Sequence, residues 1–252
     1  MKIAVCIKQV VTREWQLRVN EGATWIRDSD ASFELNEPDA YALEEALRLK
    51  EKHGGEVVVC SAGPARASQV IREALARGAD RAIHVEADAL ASADAFAVAD
   101  ALAAAVRDER FDLVLTGLQS DDQGFGQVGV VLAEKLSMPH ATIIMEVQAS
   151  ESGLRVKREL EGGWFQWVTL PLPAVLTIQS GINQLRYATL KGIMAAKKKE
   201  IRKVAPAAAQ ANQRILRVYF PEKGKKTHMI TGSAGDAAKE LVTRLRDDAR
   251  VL

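Results

Sequence analysis

Short β-branched runs take turns with longer segments of helical period along the first 140 residues of this chain. Parallel strands need a crossover of about a dozen residues or more between them, and this rhythm supplies one each time. The expected fold is α/β: a mostly parallel sheet flanked by helices, a nucleotide-binding type of sandwich, with a β-hairpin and an extended C-terminal arm. Lys2–Ile7 reads as the first strand. A helix follows over Glu37–His53, with Asn36 as N-cap, Leu43, Ala46, Leu47 and Lys50 on one stripe, and Gly54-Gly55 as the stop. Glu56–Ser61, Arg81–Val85 and Phe111–Thr116 read as further strands. Ala65–Arg77, Ser92–Arg107 and Gln127–Leu136 read as helices between and after them. An insertion over residues 11–35 interrupts the series, and alternation in QLRVN and SFELN suggests a hairpin excursion there.

Beyond Pro139 the pattern becomes strand-rich. LRVKREL and WFQWVTL flank Glu161-Gly162-Gly163, a hairpin with a glycine turn, and Ala174–Gln179 reads as one more buried strand. From Ser180 onward periodicity fades through the basic run Lys197–Lys199 and an Ala/Pro/Gln stretch at 205–213, returning in a charged helix near 236–248. A tail of that kind is a linker with a frayed helix or an arm packed on another subunit.

With 48% apolar and 27% charged residues the chain has the makings of a core, which excludes disordered and fibrous classes. A formal net charge of +1 provides no global field toward nucleic acid or an anionic membrane. Cys6 and Cys60 both lie in apolar runs, so neither a disulfide framework nor a CxxC metal site is expected. The N-terminus lacks the apolar region of a signal peptide, and no stretch approaches the roughly 18 apolar residues of a membrane span. These features point to a cytoplasmic protein.

The segment richest in chemistry is TGLQSDDQGFGQVG, Thr116–Gly129, which leaves a strand end and enters a helix. Open α/β sheets bind ligands at such places. Glycines 124, 126 and 129 let backbone N–H groups approach an anion, and the helix N-terminus adds about half a positive charge, so phosphate is the expected guest. Gly124–Gly129 also spells GxGxxG, with Glu146 near the spacing of a ribose-binding acid, which keeps a Rossmann-type NAD-dependent dehydrogenase as an alternative. Asp121-Asp122 reads as a capping and turn pair more readily than as a Mg²⁺ site. Cys6–Gln9 and Ser61–Pro64 would line the same end of the sheet with small residues. His53, His84, His140 and His228 are scattered without a nucleophile or metal spacing, so the chain reads as a holder of a nucleotide rather than a converter of one.

Two stretches carry a resemblance. VKRELEGGWFQWVTLPLPAVLT, Val156–Thr177, and RYATLKGIMAAKKK, Arg186–Lys199, resemble the beta subunit of electron transfer flavoprotein, and NEPDAYALEEALRLKE and SAGPARA extend the likeness over nearly all of residues 1–204. The resemblance implies a non-enzymatic electron carrier, a heterodimer whose alpha subunit carries most of the FAD site. Electrons would pass from dehydrogenases such as acyl-CoA dehydrogenases to a quinone-linked acceptor oxidoreductase. It implies a nucleotide-binding domain over 1–204 and, over 205–252, an arm packed on the alpha subunit. It implies an AMP contacted by Cys6, by Asn36, Glu37, Pro38 and Asp39, by Ala62, and by the loop of Gly117, Leu118, Gln119, Ser120, Asp121, Asp122, Gln123, Gly124, Phe125, Gly126, Gln127 and Val128. Partner contacts are implied for Glu159, toward an arginine of the alpha subunit, and for the loop 186–199, in which Arg186, Tyr187, Ala188, Thr189, Lys191, Gly192, Ile193 and Met194 surround Leu190, the apolar anchor for a donor dehydrogenase.

Some positions depart from the family pattern. Gln123, Gly126 and Val128 stand where AMP-binding members carry Asp, Asn and Thr, while Gln127 is retained. Bifurcating members, with NADH as donor or product, hold a second FAD in this pocket, but their Asp-Gly-Asp-Thr run is missing here. The expectation is AMP, with a second FAD as the alternative. Arg13 or Trp15 falls where the family places an aromatic beside the flavin ring.

Overall fold

A computed structural model describes residues 1–150, 153–206, 211–221 and 227–252. It comprises two compact units, Met1–Val218 and Tyr219–Leu252. The first unit runs β1 (Lys2–Cys6), β2 (Gln9–Val11), β3 (Phe33–Leu35), α1 (Glu37–His53), β4 (Glu56–Gly63), α2 (Ser68–Arg77), β5 (Arg81–Glu86), α3 (Ala95–Val106), β6 (Leu113–Gly117) and α4 (Val128–Leu136). It continues with β7 (His140–Ser150), β8 (Gly153–Glu159), β9 (Phe165–Leu170), β10 (Ala174–Ile178), α5 (Leu190–Ala196) and β11 (Ile201–Val204). The second unit contains α6 (Ala234–Asp247), capped by Ser233, whose hydroxyl accepts from the Asp236 amide. Of the stretch 205–213, residues 207–210 lie outside the described residues.

The main sheet has the order β11-β5-β4-β1-β6-β10-β7-β8-β9, parallel from β11 to β7 and antiparallel through the β8–β9 hairpin. Strand period 2 divides each central strand between two cores. Ile3 and Val5 face a cluster with Leu43 and Leu47 of α1 and Ile71 and Leu75 of α2. Ala4 and Cys6 face another with Leu102 of α3 and Leu132 of α4. Burial on both faces is why these strands read as unbroken apolar runs.

The structure shifts several expected boundaries. The helix expected from Ser92 starts at Ala95, because the Asp94 carboxylate caps it, accepting from the Ala97 amide at 2.8 Å. In the insertion, Phe33–Leu35 pairs with Gln9–Val11 rather than with QLRVN, of which only Val19 forms a bridge, to Ile26. β7 shows no clean alternation, because Ile143 sits at φ 61° and the pairing register with β8 shifts between Ile144 and Glu146. At the β8–β9 turn Gly162 and Gly163 adopt φ 69° and 77°, which glycine takes without strain.

At the amino-terminal edge of the sheet, Lys2, Arg81 and Arg202 converge on Glu109 at 2.9, 2.7 and 2.8 Å. The Arg81 hydrogen bond, with help from Lys2 and against partial burial, pulls the Glu109 carboxyl down to about 2. A carboxylate depressed by folding stabilises the fold above its unfolded pKa, and the contribution is lost as pH falls toward the folded value. Glu109→Gln is expected to remove about 1–2 kcal/mol at neutral pH, less than the full shift because solvent screens the cluster. Acid unfolding checks this: the variant's stability should change less than the wild type's between pH 4.5 and 2, and parallel curves would refute it.

Candidate functional site

Because β4, β1 and β6 are neighbours in the sheet, their carboxyl ends lie side by side and three turns converge. A cavity opens there, with about 100 Å³ in which the centre of a water molecule can move. Of the candidate residues, Cys6, Asn36, Asp39, Ala62, Gly117, Leu118, Gln119, Ser120, Gln123, Phe125, Gly126, Gln127 and Val128 line it. Asp121 and Asp122 line a second cavity instead, and Glu37, Pro38 and Gly124 line neither. Sequence reasoning missed the wall formed by Leu90, Ala93, Ala95, Val98 and Leu102. The small residues at 93 and 95, at the start of an alanine-rich helix, were its only signal.

The polar groups around the cavity mostly bond one another. Asp39 is buried and accepts from the Lys8 amide at 2.8 Å and the Gly117 amide at 2.9 Å, joining α1 to the ends of β1 and β6. Burial pushes its carboxyl up to about 7 against the pull of those N–H groups. Asn36 stands at the N-cap position, yet its side chain makes no cap hydrogen bond. It reaches the loop instead, donating to the Gln119 carbonyl at 3.0 Å and accepting from the Asp121 amide at 2.9 Å. Lys8 Nζ meets Asp122 at 2.6 Å and Gln123 Oε1 at 2.9 Å, while Arg13 pairs with Glu37 and lies 3.7 Å from Asp121. The two aspartates thus fasten the loop, and no group of three or more His, Cys, Asp or Glu able to hold a metal ion occurs among the described residues.

Some donors remain open toward the cavity. Gln127 gives α4 no side-chain cap, leaving first-turn amides to another acceptor. Gly126 lines the cavity at φ 63°, whereas Gly124, at φ 65°, spends its amide on the Ser120 carbonyl at 2.8 Å. A Cβ on Gly129 would stand 2.5 Å from Thr177 Cγ2, so that glycine seats α4 against the sheet. Gln123 Nε2 is buried without a hydrogen-bond partner. Polar and anionic groups of a nucleotide match these donors. Cys6 and Cys60 are direct neighbours in the β1–β4 register, and burial raises both thiols, Cys60 to about 12. They stay protonated and unreactive. Residues 118–127 separate β6 from α4, so Gly124–Gly129 does not form the tight post-strand turn of a dinucleotide fingerprint. Glu146 is exposed on β7, bonded to Gln148, and lines neither cavity.

The second cavity, about 560 Å³ on the same measure, shares Lys8, Ala62, Leu90 and Gln123 with the first. Trp15, Trp25 and Phe33 line it together with Arg13 and Arg66, and the Arg66 guanidinium stacks 4.3 Å from the Phe33 ring centre. Both candidates for a ring contact are therefore present. Arg13 is exposed and pairs with Glu37 and Asp121, whereas Trp15 is half-buried.

Elsewhere on this unit the segment around α5 displays apolar side chains to solvent: Tyr187 is 90% exposed, Leu190 84% and Met194 63%. Thr189 caps α5 by accepting from the Gly192 amide at 3.0 Å. Arg186 turns inward to α1. Of the basic run, Lys197 and Lys198 are exposed, whereas Lys199 Nζ bonds the Leu75 and Ala79 carbonyls at the end of α2. Glu159 is half-buried and accepts from Gln179 at 3.0 Å.

Comparison with known proteins gives concordant matches. The electron transfer flavoprotein domain family matches residues 24–209. The electron transfer flavoprotein subunit beta of Methylophilus methylotrophus is 39% identical over 256 residues, covering 96% of this chain and 97% of that protein. The subunit of the same name from Bacillus subtilis is 33% identical over 260 residues, with complete coverage of both, and that from Homo sapiens 34% over 256 residues, covering 100% and 99%.

Proposed function

The chain belongs to the electron transfer flavoprotein beta-subunit family, and from that premise we propose that it is the nucleotide-holding half of a heterodimeric electron carrier. The observation that carries this reading is the cavity where β1, β4 and β6 end, with its glycine loop, uncapped α4 and unpartnered Gln123 amide. AMP suits it: small residues such as Ala62 and Ala95 leave room for a flat base, and the α4 first turn faces the phosphate. An FAD held chiefly by an alpha subunit would supply the electron storage. This chain's part is to support that flavin from the second cavity, with Trp15 beside the ring, and to present Leu190 to donor dehydrogenases such as acyl-CoA dehydrogenases. A small exposed apolar anchor favours a contact that exchanges quickly. α6 buries none of its residues and leaves Leu241 and Val242 exposed, which suits an arm completed by the alpha subunit.

A second reading is favoured by the adjacency of the two cavities, which share Lys8, Ala62, Leu90 and Gln123 in their linings, since a dinucleotide spanning both would place its second half in the aromatic-lined one. It makes this chain part of a bifurcating carrier with a second FAD in place of AMP. The test is to co-express the chain with its alpha partner, denature the purified complex and quantify the nucleotides released. One FAD and one AMP per heterodimer is the expected result. Two FAD without AMP would replace it with the bifurcating reading, and a well-formed complex without flavin would remove both.

A further inference from the structure

Leu190 and its neighbours are exposed, yet the segment that carries them is fastened at both ends and in the middle. At its entry, the Arg186 side chain donates from Nε to Glu44 Oε2 and from an η nitrogen to Glu44 Oε1, each at 2.9 Å, and it also bonds Glu51 two turns further along α1. The Arg186 backbone N–H adds a bond to Glu44 at 3.1 Å, and Asn183 donates to the Tyr41 carbonyl at 3.0 Å. In the middle, a Cβ on Gly192 would collide with the Ala76 carbonyl, so α5 lies directly on α2. At the exit, Arg72 donates to the Ala196 and Lys199 carbonyls at 2.5 and 2.8 Å.

We propose that Arg186 is a positioning residue for partner docking: by bridging Glu44 and Glu51 it holds the Tyr187–Met194 segment in the conformation that presents Leu190. The inference rests on the reading of that segment as the docking surface. The guanidinium spends its donors on its own chain, so its effect on a partner is indirect. The Glu44 side chain is only 5% exposed, which gives the fork a fixed seat. Burial would raise the Glu44 carboxyl, and the Arg186 hydrogen bonds outweigh it and hold it below its ordinary range. A segment already ordered loses less conformational freedom on docking, so its stiffness translates into affinity. Removing Arg186 need not unfold the protein, because Arg48 also bonds Glu44, at 3.2 Å, and keeps that carboxylate paired.

The test uses the intact heterodimer as electron acceptor for an acyl-CoA dehydrogenase that reduces the wild-type carrier. Arg186→Ala should raise the KM for the carrier about tenfold, with kcat and flavin content unchanged. Hydrogen exchange of the 187–194 amides should accelerate in the same variant. Arg186→Lys should fall between, since an ammonium cannot reproduce the fork across two carboxylates. Leu190→Ala serves as the reference and should raise the same KM without faster exchange. If Leu190→Ala raises KM and Arg186→Ala does not, the positioning role is overturned while the docking surface stands. If neither moves KM, the docking reading itself fails. Loss of flavin or of kcat in Arg186→Ala would show a general structural role and overturn the proposal as well.

Discussion

Gly117→Ala is expected to cost about 3 kcal/mol of stability and to lower the unfolding temperature of the complex by about 10 °C. Gly117 closes β6 where the first turn of α1 crosses it. An added Cβ would stand 2.5 Å from Asp39 Oδ1 and 2.7 Å from both the Asp39 amide nitrogen and the Pro38 carbonyl carbon. Two of those atoms are backbone, so no rotamer change relieves the clash and α1 must move. Movement breaks the Gly117-to-Asp39 hydrogen bond and leaves a buried carboxylate oxygen without its donor. The same displacement shifts Asn36 and its hold on the loop at 119–121, so bound nucleotide should be lost along with stability. Gly63→Ala is the control. It lies at the end of β4, on the far side of β1, where a Cβ would find only the Ala67 Cβ at 3.9 Å. That change should stay within about 0.5 kcal/mol. Thermal unfolding of both variants settles the matter: equal, small effects would mean that the junction of β6 with α1 does not hold the pocket.

That junction also shows where the sequence is informative. β1, β4, β6 and the helices between them were legible because burial on both faces demands long apolar runs joined by crossovers of helical period. β11 and α5 were not: an edge strand of 4 residues with mixed burial and a helix of 7 leave too short a pattern to read. Asn36 illustrates a subtler limit. Its residue type suits a helix cap, but the tertiary structure spends its amide on the loop at 119–121. The converging turns of the cavity follow from strand order, which parallel topology makes accessible from sequence. Its α3 wall does not, since Leu102 also belongs to the core and carries no separate mark. Exposed residues at 187–194 gained meaning only through the family resemblance, because single surface leucines are ordinary.

Gly126→Glu should reduce nucleotide affinity by about a thousandfold while leaving the fold assembled. Gly126 lines the first cavity at φ 63°, and the nearest atom to an added Cβ is the Leu118 carbonyl oxygen at 3.7 Å. A methyl group therefore fits, and Gly126→Ala should cost only the about 1–2 kcal/mol of a left-handed conformation. Glutamate incurs the same backbone strain but also sends a carboxylate into the space beside the α4 N-terminus. At about 4 Å and an effective dielectric near 20, repulsion from a phosphate amounts to about 4 kcal/mol per pair of unit charges, which gives the predicted loss. The two variants separate strain from occupancy: nucleotide released on denaturation should approach one per heterodimer in Gly126→Ala and fall near zero in Gly126→Glu. A full equivalent in Gly126→Glu would mean that the phosphate lies elsewhere. The uncapped turn of α4 would then need another acceptor, and the second cavity, which Gly126 does not touch, would become the place to seek the ligand.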